Sequence, residues 1–171
     1  NGGKLPDGLM DEVKVALADV ESAMGKKLGD VENPLLVSVR SGAKFSMPGM
    51  MDTVLNLGLN DQTVESLAKK TNNPRLAYDS YRRFLMMLCD VAFADGKNKL
   101  AKHDFEHLFY ELKEKLGAKN DIDVDVDGLK QLVQIYKDHI KSELGRDFPQ
   151  DTMEQLQIAI EAVFKSWNNE R

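Results

Sequence analysis

The sequence predicts a mainly α protein in which a helical bundle is attached to a small, incomplete α/β piece with one or two short strands. Three observations carry this. Apolar residues recur at spacings of three and four in the segments 74–94, 103–116, 127–144 and 150–167, the period of one buried helix face. Strand-like runs are confined to Leu35–Val39 and Thr53–Leu57. One or two strands do not make a stable sheet alone, so the α/β part reads as one that has lost its partner strands. The expected division is residues 1–60 as a partial α/β subdomain and residues 61–171 as a helical subdomain.

The elements follow in chain order. Gly2, Gly3, Pro6 and Gly8 mark an opening loop. From Leu9, the residues Met10, Val13, Leu17, Val20 and Met24 form one apolar stripe, predicting a helix that ends near Gly29. Asp7, Asp11 and Glu12 suit its positive end, and Lys26 and Lys27 its negative end. Pro34 then introduces Leu35-Leu36-Val37-Ser38-Val39, an apolar run with turn residues on both sides, expected to be a strand buried on both faces. Residues 41–51 contain Gly42, Pro48 and Gly49 among small side chains, so they read as a loop. Thr53–Leu57 follows as a second short strand.

Beyond residue 60 the pattern becomes helix after helix. A short helix over 61–70 has Asp61 as its expected N-cap. Tyr78, Tyr81, Leu85, Leu88 and Ala92 line the next stripe. Phe105, Leu108, Leu112 and Leu116, with Phe109 beside them, line another. Leu129, Leu132, Val133, Tyr136, Ile140 and Leu144 form the fourth. Met153, Leu156, Ile160, Val163, Phe164 and Trp167 form the last, with Pro149 near its first turn.

Composition narrows the function classes. With 171 residues, 42 % apolar and 30 % charged, the chain can bury a real core without disulfides or metal. A net charge of −5 argues against nucleic acid as a main partner. Cys89, the single cysteine, excludes an internal disulfide and points to a reducing compartment. Its apolar neighbours Leu85, Met86, Leu88 and Val91 suggest a buried structural thiol. No apolar run approaches the roughly 20 residues of a membrane span. The chain begins at Asn1 without Met and opens on no signal peptide; its ends read as boundaries other than natural termini.

The chemistry concentrates after the first strand. Arg40 places a permanent cation at a strand end, followed by Ser41 and Gly42, whose small size lets backbone N–H groups approach a polyphosphate. No G-x-x-x-x-G-K-[ST] run is present, so this is not a P-loop. On residues alone, a phosphate contact and an ordinary surface cation both fit Arg40.

The wider pattern is more specific. Ser38-Val39-Arg40-Ser41-Gly42-Ala43, then Ser46-Met47-Pro48-Gly49-Met50-Met51-Asp52-Thr53, then Leu55-Asn56-Leu57-Gly58-Leu59-Asn60 closely resembles the signature of the pyruvate, phosphate dikinase family. Ala77-Tyr78-Asp79-Ser80-Tyr81-Arg82-Arg83-Phe84 and Val163-Phe164-Lys165-Ser166-Trp167 resemble it too. Phosphoenolpyruvate synthase and the glucan and water dikinases share the V-R-S strand end but resemble Met47–Thr53 far less.

The resemblance implies an ATP-grasp-like nucleotide-binding domain with a helical insertion, here from about Asp61 to Phe164. It implies ATP contacts from Arg40, Ser41, Gly42, Ser46, Met47, Pro48, Gly49 and Thr53, with Mg2+ as cofactor of the intact enzyme. That enzyme moves the β-phosphate of ATP to a histidine on a swivelling domain, then to pyruvate in a third domain. The remainder of the nucleotide-binding domain, the phosphohistidine domain and the pyruvate domain are therefore the expected partners, outside this chain. The ATP-grasp lysine and metal-binding carboxylates are expected there as well, so no catalytic residue is expected within it. A homodimeric parent, in the cytoplasm or in an organelle, is implied. The rival reading is a non-catalytic helical interaction module, or part of a related dikinase such as phosphoenolpyruvate synthase. The small-residue loop after Arg40 distinguishes them, because a pure bundle has no use for it.

Three further patterns carry possible chemistry. Asp123-Val124-Asp125-Val126-Asp127-Gly128 opens like a calcium loop, but its twelfth position is Gln134, which cannot supply the closing bidentate carboxylate. Asp125 or Asp127 capping a helix is the expectation. His103-Asp104-Phe105-Glu106-His107 matches H-x-x-E-H, yet a third ligand and a peptidase scaffold are lacking, so a surface helix is expected and no metal site. Arg82 and Arg83, and Arg171, are candidates for docking an acidic partner such as the phosphohistidine domain; the alternative is a solvated helix face.

Overall fold

The computed structural model describes residues 4–42 and 53–166. Helix α1 spans Leu9–Met24, and short strands β1 (Lys27–Leu28) and β2 (Pro34–Leu35) follow. Strands β3 (Val37–Arg40) and β4 (Thr53–Leu57) come next, then α2 (Thr63–Thr71) and α3 (Pro74–Leu88). A π-helical segment, Cys89–Phe93, extends α3. The chain continues with α4 (Lys102–Leu116), a 3-10 turn at Asp121–Asp123, α5 (Val126–Leu144) and α6 (Thr152–Ser166). Helices dominate, as the sequence predicts; the described residues hold four short strands in two small sheets, where one or two strands are expected. No helix among the described residues is long and apolar enough to cross a membrane.

Helix α1 stops earlier than its apolar stripe suggests. Gly25 takes a left-handed conformation with φ 66° and closes the helix. Lys27–Leu28 then pairs in parallel with Pro34–Leu35. Met10, Val13 and Leu17 are half-buried, whereas Val20 and Met24 face solvent.

The run expected to be one strand changes partner at Leu36. Its first part belongs to β2, and Val37–Arg40 pairs antiparallel with β4. It is not buried on both faces: Val37 and Val39 are half-buried and alternate with exposed Ser38 and Arg40. Among the described residues β3 has one partner strand and one packed face, lying against α6, so the period of two reappears. On β4, Val54 and Leu57 are both fully buried although three apart. A bulge reconciles this: Leu55 and Asn56 lie opposite Ser38 alone, and Asn56 takes the extra residue at φ 61°.

Hairpin and bundle share one apolar core. Val54, Leu57 and Leu59 join Tyr81, Phe84, Leu85, Leu88, Phe105, Leu132, Tyr136 and Leu156 in a single cluster. Helix α3 packs on α2, α5 and β4, and α6 packs on the π segment, β3 and β4. Phe105 meets Tyr136 edge-on at 4.9 Å, and the Tyr136 hydroxyl donates to the Phe105 carbonyl at 3.0 Å. From α3 to α6 the described stripe residues are buried or half-buried except Leu116 and Phe164, which are exposed; Trp167 lies outside the described residues.

Helix starts show where side chains compete for backbone groups. Asp61 is not the cap of α2. The Asn60 carboxamide oxygen accepts from the N–H groups of Gln62 and Thr63, at 3.0 and 2.8 Å, and Thr63 Oγ1 accepts from Asn60 N. Asp61 instead accepts from the Tyr81 hydroxyl and from Lys137 Nζ, each at 2.8 Å, tying α2 to α3 and α5. Asn73 caps α3 ahead of Pro74, and Asp125 caps α5 through Gly128 N at 2.8 Å.

Candidate functional site

The β3–β4 hairpin builds the site from its register. Cross-strand partners project to the same face, so the pairs Val37/Leu57 and Val39/Val54 point into the core. The next pair, Arg40/Thr53, sits at the connected end of the hairpin, away from Leu57, and both residues are exposed. A guanidinium and a hydroxyl thus belong to one cross-strand pair at that end. Among the described residues Arg40 makes no ion pair. Ser41 is half-buried and already engaged, and Gly42 is exposed with open space where a Cβ would sit. Ser46, Met47, Pro48 and Gly49 lie outside the described residues, as does Arg171. Chemically, the hairpin end offers a fixed positive charge and a hydroxyl, which suits phosphate oxygens.

Arg82 and Arg83 stand elsewhere, on α3, lining a cleft of about 290 Å³ with Met86, Met87, Asp90, Lys102, Glu106 and Asp121. Their environments differ sharply. Arg82 is 5 % exposed. Its guanidinium lies 2.8 Å from Asp79, 3.7 Å from Asp121 and 4.6 Å from the centre of the Phe109 ring. Arg83 keeps half its side chain in solvent and reaches the other Asp79 oxygen at 3.0 Å. Arg83 is thus an exposed cation paired along its helix, while Arg82 is an internal strut.

The two metal-like patterns have local geometry of their own. His103 and His107 are largely exposed and lie beside Asp104 and Glu111 respectively. Asp123 accepts from the Asn120 N–H at 2.9 Å and Asp125 caps α5, which begins inside what a calcium loop would occupy. Among the described residues no three His, Cys, Asp or Glu side chains converge on a point.

Residues that the sequence did not single out hold the hairpin root. Gln155 on α6 is fully buried. Its amide oxygen accepts from Gly58 N at 3.2 Å, and its nitrogen donates to the carbonyls of Leu59 and Pro149 at 2.9 and 2.8 Å. Asn60 donates to the Gln150 carbonyl, and the Gln150 side chain accepts from Asp61 N and donates to the Tyr81 hydroxyl. Burial pushes the Tyr81 hydroxyl well above its usual range; the Gln150 contact opposes this and Asp61 reinforces it, so the group stays a donor. The available signal was helical phase: Gln155 falls in line with Ala159 and Ala162, both buried. Cys89 is buried as expected, its thiol raised by burial and then by the neighbouring Asp90 charge.

Comparison with known proteins places the chain in a nucleotide-binding family. The family model described as pyruvate phosphate dikinase, AMP/ATP-binding domain, matches residues 2–171. The chain belongs to that family. It is 48 % identical to pyruvate, phosphate dikinase of Clostridium symbiosum over 100 % of this chain and 19 % of the relative. The Giardia intestinalis enzyme is 50 % identical over 97 % of this chain and 18 % of the relative. Pyruvate, phosphate dikinase 1, chloroplastic, of Arabidopsis thaliana is 50 % identical over 99 % of this chain and 17 % of the relative. The chain thus spans less than a fifth of the length of each of these relatives.

Proposed function

We propose that this chain is part of the ATP-binding domain of a pyruvate, phosphate dikinase, and that its hairpin end contacts the phosphates of ATP. The carrying observation is the Arg40/Thr53 pair, exposed at the connected end of a hairpin whose other face is locked into the core. In the whole protein ATP phosphorylates a histidine on another domain, which then phosphorylates pyruvate to phosphoenolpyruvate. Phosphoryl transfer depends on positioning and on neutralising the charge of the phosphate oxygens. Arg40 supplies a cation that stays protonated and a planar donor fork. Thr53 and the N–H group of Gly42 add neutral donors, and the family resemblance assigns Ser41, Ser46, Met47, Pro48 and Gly49 to ATP as well.

Residues 1–60 then form the nucleotide-facing part and residues 61–171 its helical support, a division of role within one shared core. Mg2+ requires hard oxygen ligands, mostly carboxylate and water. The described residues of the hairpin end offer a hydroxyl and a guanidinium, which do not fit it. The metal is therefore assigned to carboxylates outside these residues, and Arg40 meets phosphate directly. The cleft on α3 is assigned to docking of the phosphohistidine domain, with Arg83 and Lys102 as the accessible cations and Arg82 fixing their support. The whole protein is read as a homodimer of the cytoplasm or an organelle.

Full-length protein supplied with ATP, phosphate and pyruvate is expected to form phosphoenolpyruvate, and the isolated 171-residue chain to form none. Turnover by the isolated chain, or a full-length protein that neither binds ATP nor forms the product, would overturn the reading.

A further inference from the structure

We propose that Gln155 is a positioning residue for ATP, fixing the tilt of the β3–β4 hairpin and so the placement of Arg40; this rests on the phosphate role given to Arg40. Gln155 and the hairpin root are 97 residues apart in sequence, and the contact between them is a carboxamide bonded on both its oxygen and its nitrogen. The groups it engages are all backbone: Gly58 N–H and Leu59 C=O at the end of β4, and Pro149 C=O ahead of α6. Backbone partners leave no rotamer freedom at the joint. A buried side chain of this size could be apolar. A fully satisfied carboxamide instead specifies one geometry, because any slide of β4 along α6 breaks a donor and an acceptor together.

The root is confined on its other side as well. Gly58 has φ +112°, and a Cβ there would lie 2.8 Å from the Leu35 carbonyl and 2.9 Å from Leu28 Cδ1. The chain leaving β4 is thus clamped between the β1–β2 ribbon and Gln155. Thr53 lies about 13 Å from Leu57 along the strand, so a tilt of about 5° at the root moves the Arg40/Thr53 end by roughly 1 Å. A misplacement of about 1 Å at a reacting centre costs on the order of 10²-fold in rate. Gln155 touches no substrate and acts through Arg40.

The test uses full-length protein and three variants: Gln155→Met, Arg40→Ala, and the two combined. Gln155→Met keeps the volume and removes the bonds. It is expected to slow ATP-dependent phosphorylation of the histidine by about 10–100-fold. Transfer from phosphohistidine to pyruvate should stay within about twofold, a separation that general unfolding would not give. If Gln155 works through Arg40, the combined variant is no more than about threefold slower than Arg40→Ala alone. Losses that multiply, or Gln155→Met at wild-type rate beside a crippled Arg40→Ala, overturn the positioning role and leave the Arg40 assignment standing. An unaffected Arg40→Ala removes the phosphate role itself, and the positioning role with it. Should Gln155→Met fail to fold, Gln155→Asn, polar but one methylene too short to reach both segments, carries the same expectations and the same refutations.

Discussion

Arg82 and Arg83 are adjacent in sequence and opposite in physical situation, so truncating each makes a sharp prediction. Arg82→Ala removes a nearly buried cation from Asp79, whose own side chain is 18 % exposed, and from Asp121. Breaking a buried pair by deleting one partner costs about 3–5 kcal/mol. Two features place Arg82 near the lower end. Arg83 still reaches Asp79, and Asp121 is half-exposed and also held by Lys113 at 2.6 Å. Loss of the contact with Phe109 adds about 0.5–1 kcal/mol, giving roughly 3–4 kcal/mol in all. Arg83→Ala removes a half-exposed i, i+4 pair and should cost about 0.2–1 kcal/mol. Urea denaturation of both variants, compared through midpoints at constant slope, measures the difference. If Arg82→Ala cost less than about 1 kcal/mol, or no more than Arg83→Ala, Arg82 would not be an internal strut.

Other expectations follow from the same structure. Leu156→Ala empties a core position that is 5 % exposed and should cost about 2–5 kcal/mol by urea melts; a value below about 1 kcal/mol would place the α6 stripe on the wrong face. Asp125→Ala removes the α5 cap and should cost about 1 kcal/mol, with faster amide exchange at Gly128; unchanged exchange there would rule the cap out. Cys89 should resist alkylation at mildly alkaline pH in the native protein and react once urea unfolds it, whereas native labelling at the free-thiol rate contradicts its burial. Asp95 accepts from the N–H groups of Asn98 and Lys97, which hold its carboxyl below the ordinary value of 3.8. Its contribution is therefore present above that value and fades as pH falls through the lower folded one. Asp95→Asn should flatten the acid limb of the stability curve, and an identical limb would count against the turn.

Helices were legible because each stripe needed only one covered face, and burial on α3, α5 and α6 follows the sequence spacing closely. The strands were less legible. Nothing local to Leu35–Val39 reveals a change of partner at Leu36, since that depends on Lys27–Leu28 arriving alongside. Asp61 and Asn60 are both good caps by residue type, and Tyr81 and Lys137, which claim Asp61, lie far along the chain. Arg82 reads as a surface residue until Phe109 and Asp121 close over it. At the site, the position of Arg40 at a strand end was visible in the sequence. Its pairing with Thr53 was not, because the register turns on the bulge at Asn56. Gln155 is hidden in the sequence for a related reason: its partners are backbone groups, which leave no mark there.

The central claim is that Arg40 meets the phosphates of ATP, and Arg40→Ala in the full-length protein tests it most directly. A lost charge-assisted contact worth about 3–4 kcal/mol at the reacting phosphates corresponds to roughly 10²–10³ in rate. Rapid-quench measurement of histidine phosphorylation by ATP should show that loss, with Arg40→Lys recovering part of it. Transfer from phosphohistidine to pyruvate should be almost untouched. An ATP half-reaction within about threefold of wild type would contradict the claim and leave Arg40 a surface cation at the end of a strand.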